Sequence, residues 1–409
     1  MLDEMIISKH FYCIFVYKIG GIDFLKIEHN ISRIKYLMKL YQLSMDEFLI
    51  RISEGLKHPL TEQDVFGSEI KLAHLKRVDR VFDKGVEFYL NPKPMTENRE
   101  ASIFFRKDSF NTDLNVGAKK IVAKFEDLKI SISAISKLAD VKLKRVLPIY
   151  TLSDNPKDVA AVVRERLYPD EVSPVLSDFL KQLIAKFAEC NIFVFEFVET
   201  WNKSETANIN GFFLKPNVIV LKRQQKAFRR EIFTLIHELG HYLLNEEEIE
   251  EVEMTSMSKL DISKIENWCN TFAYYFLIAD YRDMIDNIEK ADASNDYHFE
   301  LVEKISKETH LSTLALFTRL LYTRKISRGD YNNVKTDLNN RYRQRLENER
   351  RQRELDKIKG VKKGGTTPKP INSPLYINTL QSALYSGVIN EYDFCKSLNI
   401  KPEKIEQYL

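Results

Sequence analysis

Residues 229–245 read Arg229-Arg230-Glu231-Ile232-Phe233-Thr234-Leu235-Ile236-His237-Glu238-Leu239-Gly240-His241-Tyr242-Leu243-Leu244-Asn245, and the chain is organised around them. From Phe228 onward the apolar positions Phe233, Leu235, Ile236, Leu239, Leu243 and Leu244 recur three and four residues apart, the period of an α-helix with one buried face. On such a helix His237 and His241 stack on one face. Their imidazole nitrogens can then reach one zinc ion at about 2.0–2.1 Å. Glu238 lies about 100° around the helix from His237, near the metal without being a ligand. The chemistry needs a base there, because zinc lowers the pKa of the water it holds to about 7 and a carboxylate takes the proton.

The flanking sequence fits this helix. Asn217-Val218-Ile219-Val220-Leu221 is apolar and β-branched and predicts a short buried strand. Lys222 to Lys226 would join strand to helix. Gly240 inside the helix costs about 1 kcal/mol relative to Ala, a cost that makes sense where another element must come close. An ordinary amphipathic helix would explain a His-Glu-x-x-His string by itself, so a third ligand decides the matter. The chain has only eight histidines, which makes two at this spacing less casual. Glu266 stands at the polar start of a second apolar helix, 266–278, where its carboxylate would complete a His-His-Glu set with the fourth position open. Glu246, Glu247 and Glu248 belong to an acidic loop running to Glu253 that is expected to face solvent, and Asp261 is the next competitor. Asn270, one turn beyond Glu266, would hydrogen-bond either a ligand or the backbone.

These residues together resemble the ImmA/IrrE family of metallo-endopeptidases. The resemblance rests on Phe233 to Leu244 preceded by Arg229-Arg230, and on Glu266-x-x-Cys269-Asn270-x-Phe272-Ala273, where family members carry Glu-x-x-Ala-Asn-x-Phe-Ala. Asn210-Gly211-Phe212 followed by the Val218–Leu221 strand, and Phe104-Phe105-Arg106-Lys107, extend it. It implies that His237, His241 and Glu266 bind zinc and that Glu238 is the catalytic base. The implied substrate is a protein, a helix-turn-helix transcriptional repressor cleaved in a stress-response or mobile-element switch. The chain departs from the family at 274–280, Tyr-Tyr-Phe-Leu-Ile-Ala-Asp, where Ala-Glu-Leu-Leu-Met-Pro is frequent. The helix stays apolar, so the departure touches packing or substrate fit rather than metal binding.

Composition agrees with a helix-rich cytoplasmic protein of two or three domains: 409 residues, with 13 glycines and 12 prolines. A net charge of +3 is too small to imply nucleic acid for the chain as a whole. Cys13, Cys190, Cys269 and Cys395 show neither metal nor disulfide spacing, which suits reduced thiols, and Cys269 takes the family's small apolar position. The apolar run Phe11 to Tyr17 is too short to span a bilayer, so no membrane association is expected.

The expected fold class is α+β and helix-rich, a small sheet packed on a zincin-like His-Glu-x-x-His helix and flanked by helical modules. Residues 1–28 form an extension. Residues 29–110 form a helical module whose Ile34, Leu37, Met38 and Tyr41 face and Ser-capped second helix resemble the opening of a Xre-type helix-turn-helix, with no clear recognition helix after Ile52. One helix is expected over 69–90; Asp79 and Asp83 interrupt its basic residues, so direct DNA binding is an open alternative. Residues 111–165 form a helical bridge and 166–330 the metallopeptidase domain, including a strand over 191–198. The 331–373 segment is a basic charged helix and linker, with ten Lys/Arg against four Asp/Glu in 341–363. Residues 374–409 form a module too small to stand alone, which should dock on the main body or a partner. A different class of function, a DNA- or protein-binding regulator or antitoxin-like adaptor that keeps the zinc fold without proteolysis, shares most of these features. Tyr242, Arg229 and Arg230 are near enough in sequence to support an oxyanion. The sheet's exposed edge could take an extended substrate by strand addition.

Overall fold

A computed structural model describes residues 26–93, 114–198, 206–223, 228–247, 263–360 and 370–409. The amino-terminal extension up to residue 25, the Phe104–Lys107 motif, the acidic stretch from Glu248 to Asp261 and most of the 364–370 linker lie outside these residues. The described chain is helix-rich with two small sheets, an α+β arrangement, and it divides into two compact units.

The first unit takes in the described residues up to 93 together with Val116–Ala123. Its elements are β1 (Lys26–Glu28), α1 (Ile31–Leu40), α2 (Met45–Ser53), α3 (Glu62–Phe66), β2 (Glu69–Lys71), α4 (Leu72–Phe82) and α5 (Val86–Leu90). Strands β1 and β2 pair antiparallel, Ile27 opposite Ile70. The Ser44 cap is a reciprocal one: its hydroxyl accepts from the Glu47 N–H while the Glu47 carboxylate accepts from the Ser44 N–H. Ile34, Leu37, Phe48, Val65, Leu75, Val78, Phe82 and Tyr89 form the core. Two expectations need correction here. The single helix over 69–90 is a strand and two helices, because Asp83 (φ 55°) and Gly85 (φ 82°) turn the backbone left-handed. Asp79 Oδ1 accepts from the Lys84 and Gly85 N–H groups and fixes that turn. After Ile52 a helix does exist, the five-residue α3, with Glu62 exposed and Asp64 capping Thr61.

Helix α6 (Val116–Leu138) begins earlier than its apolar pattern suggested; from Lys124 it belongs to the second unit. That unit continues with α7 (Pro156–Leu167), α8 (Leu176–Glu189), β3 (Phe193–Val198), β4 (Gly211–Leu214), β5 (Val218–Arg223), α9 (Phe228–Leu244) and α10 (Lys264–Ile278). The sheet order is β3-β5-β4, with β3 parallel and β4 antiparallel to the central β5. The central strand carries Val218, Ile219, Val220 and Leu221, all buried, as a strand covered on both faces requires. Helix α9 lies on β4 and β5 and against α10, while α10 packs on α7. The Trp268 indole N–H donates to the Asp154 carbonyl at 2.8 Å, tying α10 to the start of α7.

Beyond them come α11 (Arg282–Asp286), α12 (Phe299–Thr309), α13 (Thr313–Tyr322), α14 (Arg328–Ile358), α15 (Pro374–Tyr385) and α16 (Glu391–Leu398). The charged segment is the far half of α14, a solvated helix laced by i,i+4 pairs such as Arg351–Glu347 at 2.7 Å. The last forty residues dock on the sheet. Tyr376 meets the Phe195 ring edge-on at 5.2 Å, and the Ile371 N–H donates to the buried Glu196 carboxylate on β3. No helix among the described residues is long and apolar enough to cross a membrane.

Candidate metal site

Helix α9 buries an unusual set of side chains. Along with Leu235, Ile236 and Leu239, it places His237, Glu238 and His241 inside, at 8, 5 and 1% exposure. Burial on this scale is expensive for polar groups unless something compensates it. Helix α10 brings the compensation. Its N-cap Ser263 accepts the Glu266 N–H at 3.1 Å, setting Glu266 at the start of the helix and 3% exposed.

His237 Nε2 lies 3.1 Å from Glu266 Oε2, His241 Nε2 lies 3.1 Å from Glu266 Oε1, and the two Nε2 atoms are 3.1 Å apart. Among the described residues these three make the one His/Cys/Asp/Glu group able to hold a metal ion, their ligand atoms all within 4.8 Å of one another. Neither Glu266 oxygen has an aligned hydrogen-bond donor, although both are buried. Close atoms without hydrogen-bond geometry are what donors aimed at a common centre look like. Two imidazoles and a carboxylate suit a divalent transition ion, so the residues fit a cation on chemistry as well as on distance. Burial would push the Glu266 carboxyl up, yet the two histidines hold it well below the usual carboxylate range.

Glu238 sits beside this cluster without joining it. Burial pushes its carboxyl up to about 8; His237 opposes that shift and Glu266 adds to it. Its Oε2 is buried without a partner. A cation in the cluster would draw its affinity for protons back down. The arrangement therefore supplies a carboxylate able to take up and release a proton at the edge of a cation site.

Two close contacts set the geometry, and neither role was legible as such. A Cβ on Gly211, the first residue of β4, would lie 2.6 Å from Thr234 Cγ2, 3.0 Å from the Val220 carbonyl oxygen and 3.2 Å from Glu238 Oε1. The glycine lets the edge strand pass directly over the Glu238 carboxylate. Gly211→Ala should therefore destabilise the protein by about 1–3 kcal/mol in urea unfolding, because the Val220 carbonyl is backbone and cannot swing aside. A variant within 0.5 kcal/mol of wild type, roughly the scatter of surface substitutions, would remove this account. The second contact is Gly240 against Cys269, where α9 and α10 cross.

Other expectations sort clearly. Asn270 bonds a candidate ligand rather than the backbone: its Oδ1 is 3.0 Å from His237 Nδ1. Tyr242 is turned into the core, edge-on to Phe213 at 5.8 Å and under the Arg145 guanidinium at 3.8 Å, away from the cluster. Arg230 is exposed and Arg229 half-buried. Glu247 does not face solvent: 6% exposed, it accepts the Lys215 N–H at 2.6 Å and closes the turn between β4 and β5 onto the end of α9.

Comparison with known proteins agrees with the geometry. Residues 191–320 match the Peptidase_M78 family model, described as IrrE N-terminal-like domain. The match runs from the start of β3 to near the end of α13 and so contains the sheet, α9 and α10. It supports a metallopeptidase-type function for that region. No curated protein and no solved structure matches the chain.

Proposed function

We propose that this chain is a zinc-dependent endopeptidase that cleaves a helix-turn-helix transcriptional repressor within a stress-response or mobile-element switch. The observation that carries the reading is the convergence of His237, His241 and Glu266 on one buried point, with the Glu238 carboxylate beside it. The substrate class comes from the family resemblance and from the IrrE-like match over residues 191–320.

His237 and His241 through Nε2, and Glu266 through its carboxylate, would hold the zinc, which when bound supplies Lewis-acid polarisation of the scissile carbonyl and acidifies water. Glu238 removes the proton from the attacking water and returns it to the leaving amine. Its burial suits both halves of that task, because a carboxyl pushed upward holds a proton long enough to deliver it. The low-dielectric surroundings of α9 strengthen every charge interaction at the site. The edge strand β4 runs beside Glu238 at Gly211, where an extended peptide could pair with it.

The test pairs wild type with Glu238→Gln, both zinc-loaded, against helix-turn-helix repressors encoded beside the gene, with fragments read by intact-mass spectrometry. Glu238→Gln keeps the shape and zinc binding but removes the base, so cleavage should fall by about 10²–10⁴-fold. Specific fragments from wild type alone are the expected result. Equal cleavage by both forms would remove Glu238 from the mechanism. No cleavage by fully loaded wild type, together with a stable repressor or operator complex in both forms that weakens steeply with salt, would replace the peptidase by a regulatory adaptor.

A further inference from the structure

We infer that Asn270 is a positioning residue that selects the ring tautomer of His237 and thereby makes the site ready for a cation. The inference rests on the metal-site part of the proposed function and not on proteolysis.

His237 is held at both ends. Its Nε2 faces His241 and Glu266, and its Nδ1 lies 3.0 Å from Asn270 Oδ1. A neutral imidazole carries one N–H, and the partner of one nitrogen decides which nitrogen has it. The Asn270 carbonyl oxygen accepts only, so it requires the proton on Nδ1 and leaves the Nε2 lone pair directed at the cluster. The opposite orientation of the amide would put an N–H donor against Nδ1, drive the proton to Nε2 and aim it at Glu266, blocking a cation. Asn270 is half-buried on α10, four residues after Glu266, so the same helix face delivers a ligand and the group that orients another ligand.

His241 is treated differently. Its Nδ1 is buried without a hydrogen-bond partner, so no such restraint acts on its ring. The protein's control over ring protonation is thus concentrated on His237. An amide also performs the task without adding charge. Glu238 and Glu266 already place two carboxyl groups in this buried space, and a third carboxylate at 270 would add repulsion there in the absence of a cation.

The experiment measures zinc affinity by competition with a chromophoric chelator for wild type, Asn270→Leu and Asn270→Asp, with far-UV circular dichroism to verify folding. Outer partners of this kind are worth about 10–100-fold in metal affinity. Asn270→Leu should weaken zinc binding by that factor, and Asn270→Asp, which keeps an acceptor, should restore wild-type affinity or exceed it. A purely structural Asn270 would not show rescue by a charged residue. Nitrogen-15 NMR of the wild-type histidines provides a readout that needs no variant to fold: the His237 Nδ1–H should exchange slowly and the His241 Nδ1–H fast. Wild-type affinity in a folded Asn270→Leu, or fast exchange at His237 Nδ1, overturns the inference while leaving the metal site standing. A wild type that binds no zinc overturns both, and one that binds zinc but cleaves nothing leaves this inference intact.

Discussion

His241→Ala should empty the site. The wild-type protein is expected to retain about one equivalent of zinc after dialysis, and the variant less than a tenth, read by elemental analysis with a chelator control. His241 is the ligand whose loss is hardest to repair. It is 1% exposed, it touches both other members of the cluster, and nothing beside it can swing into the gap because Tyr242 faces the opposite side. The stability readout is separable from the content readout. A ligand that binds only the folded state stabilises it by about 4 kcal/mol at a free concentration of 1,000 Kd, so zinc should raise the melting temperature of wild type and leave His241→Ala unmoved. Without zinc the order can reverse. Removing an imidazole leaves the buried Glu266 carboxylate with one fewer partner, a cost of about 1–3 kcal/mol, while it also relieves the crowding of two rings whose Nε2 atoms are 3.1 Å apart. Retention of stoichiometric zinc by His241→Ala would mean that the cation, if any, sits elsewhere.

The sequence speaks clearly where one helix carries the information. His237 and His241 are four residues apart, and a period of 3.6 residues translates that spacing into one face without further knowledge. Glu266 was legible for a related reason, as a carboxylate at the polar start of an otherwise apolar helix. What stayed hidden depends on contacts between segments distant in sequence. Asn270 offered two partners of equal merit until α10 was seen to lay it against His237. Glu247 reads as one more acid in an acidic run, and only the return of Lys215 to the end of α9 shows it to be buried. The β3-β5-β4 order puts the last strand in the middle, an outcome that apolar runs alone cannot specify. In the first unit the failure was local. Lys84-Gly85 after Asp83 is a turn signal, but the apolar spacing through Val81, Phe82, Val86 and Phe88 masked it.

The second large effect is expected at Gly240, where the two halves of the site are held together. A Cβ there would lie 3.0 Å from Cys269 Sγ and 3.1 Å from both Cys269 Cα and Cβ. A thiol can rotate, but Cα is part of the backbone of α10, so even one methyl group requires the helices to move apart. The ligands straddle this crossing: His237 and His241 come from α9, Glu266 and the Asn270 partner from α10. Separation by a few tenths of an ångström therefore acts on three donor atoms that are now 3.1 Å apart. Gly240→Ala gains about 1 kcal/mol of helix propensity and should still lose stability overall, while Gly240→Val, with two more carbons, should lose about 3 kcal/mol or more and bind zinc more weakly. A size exchange tests the cause. Cys269→Ala removes only Sγ and should rescue Gly240→Ala in small part, whereas Cys269→Gly removes Sγ and Cβ and should restore zinc affinity further despite its own helix cost. If Gly240→Ala were as stable as wild type and bound zinc equally well, the close approach of α9 and α10 would have no hold on the site, and the cost of a glycine in the middle of the helix would be left without a reason.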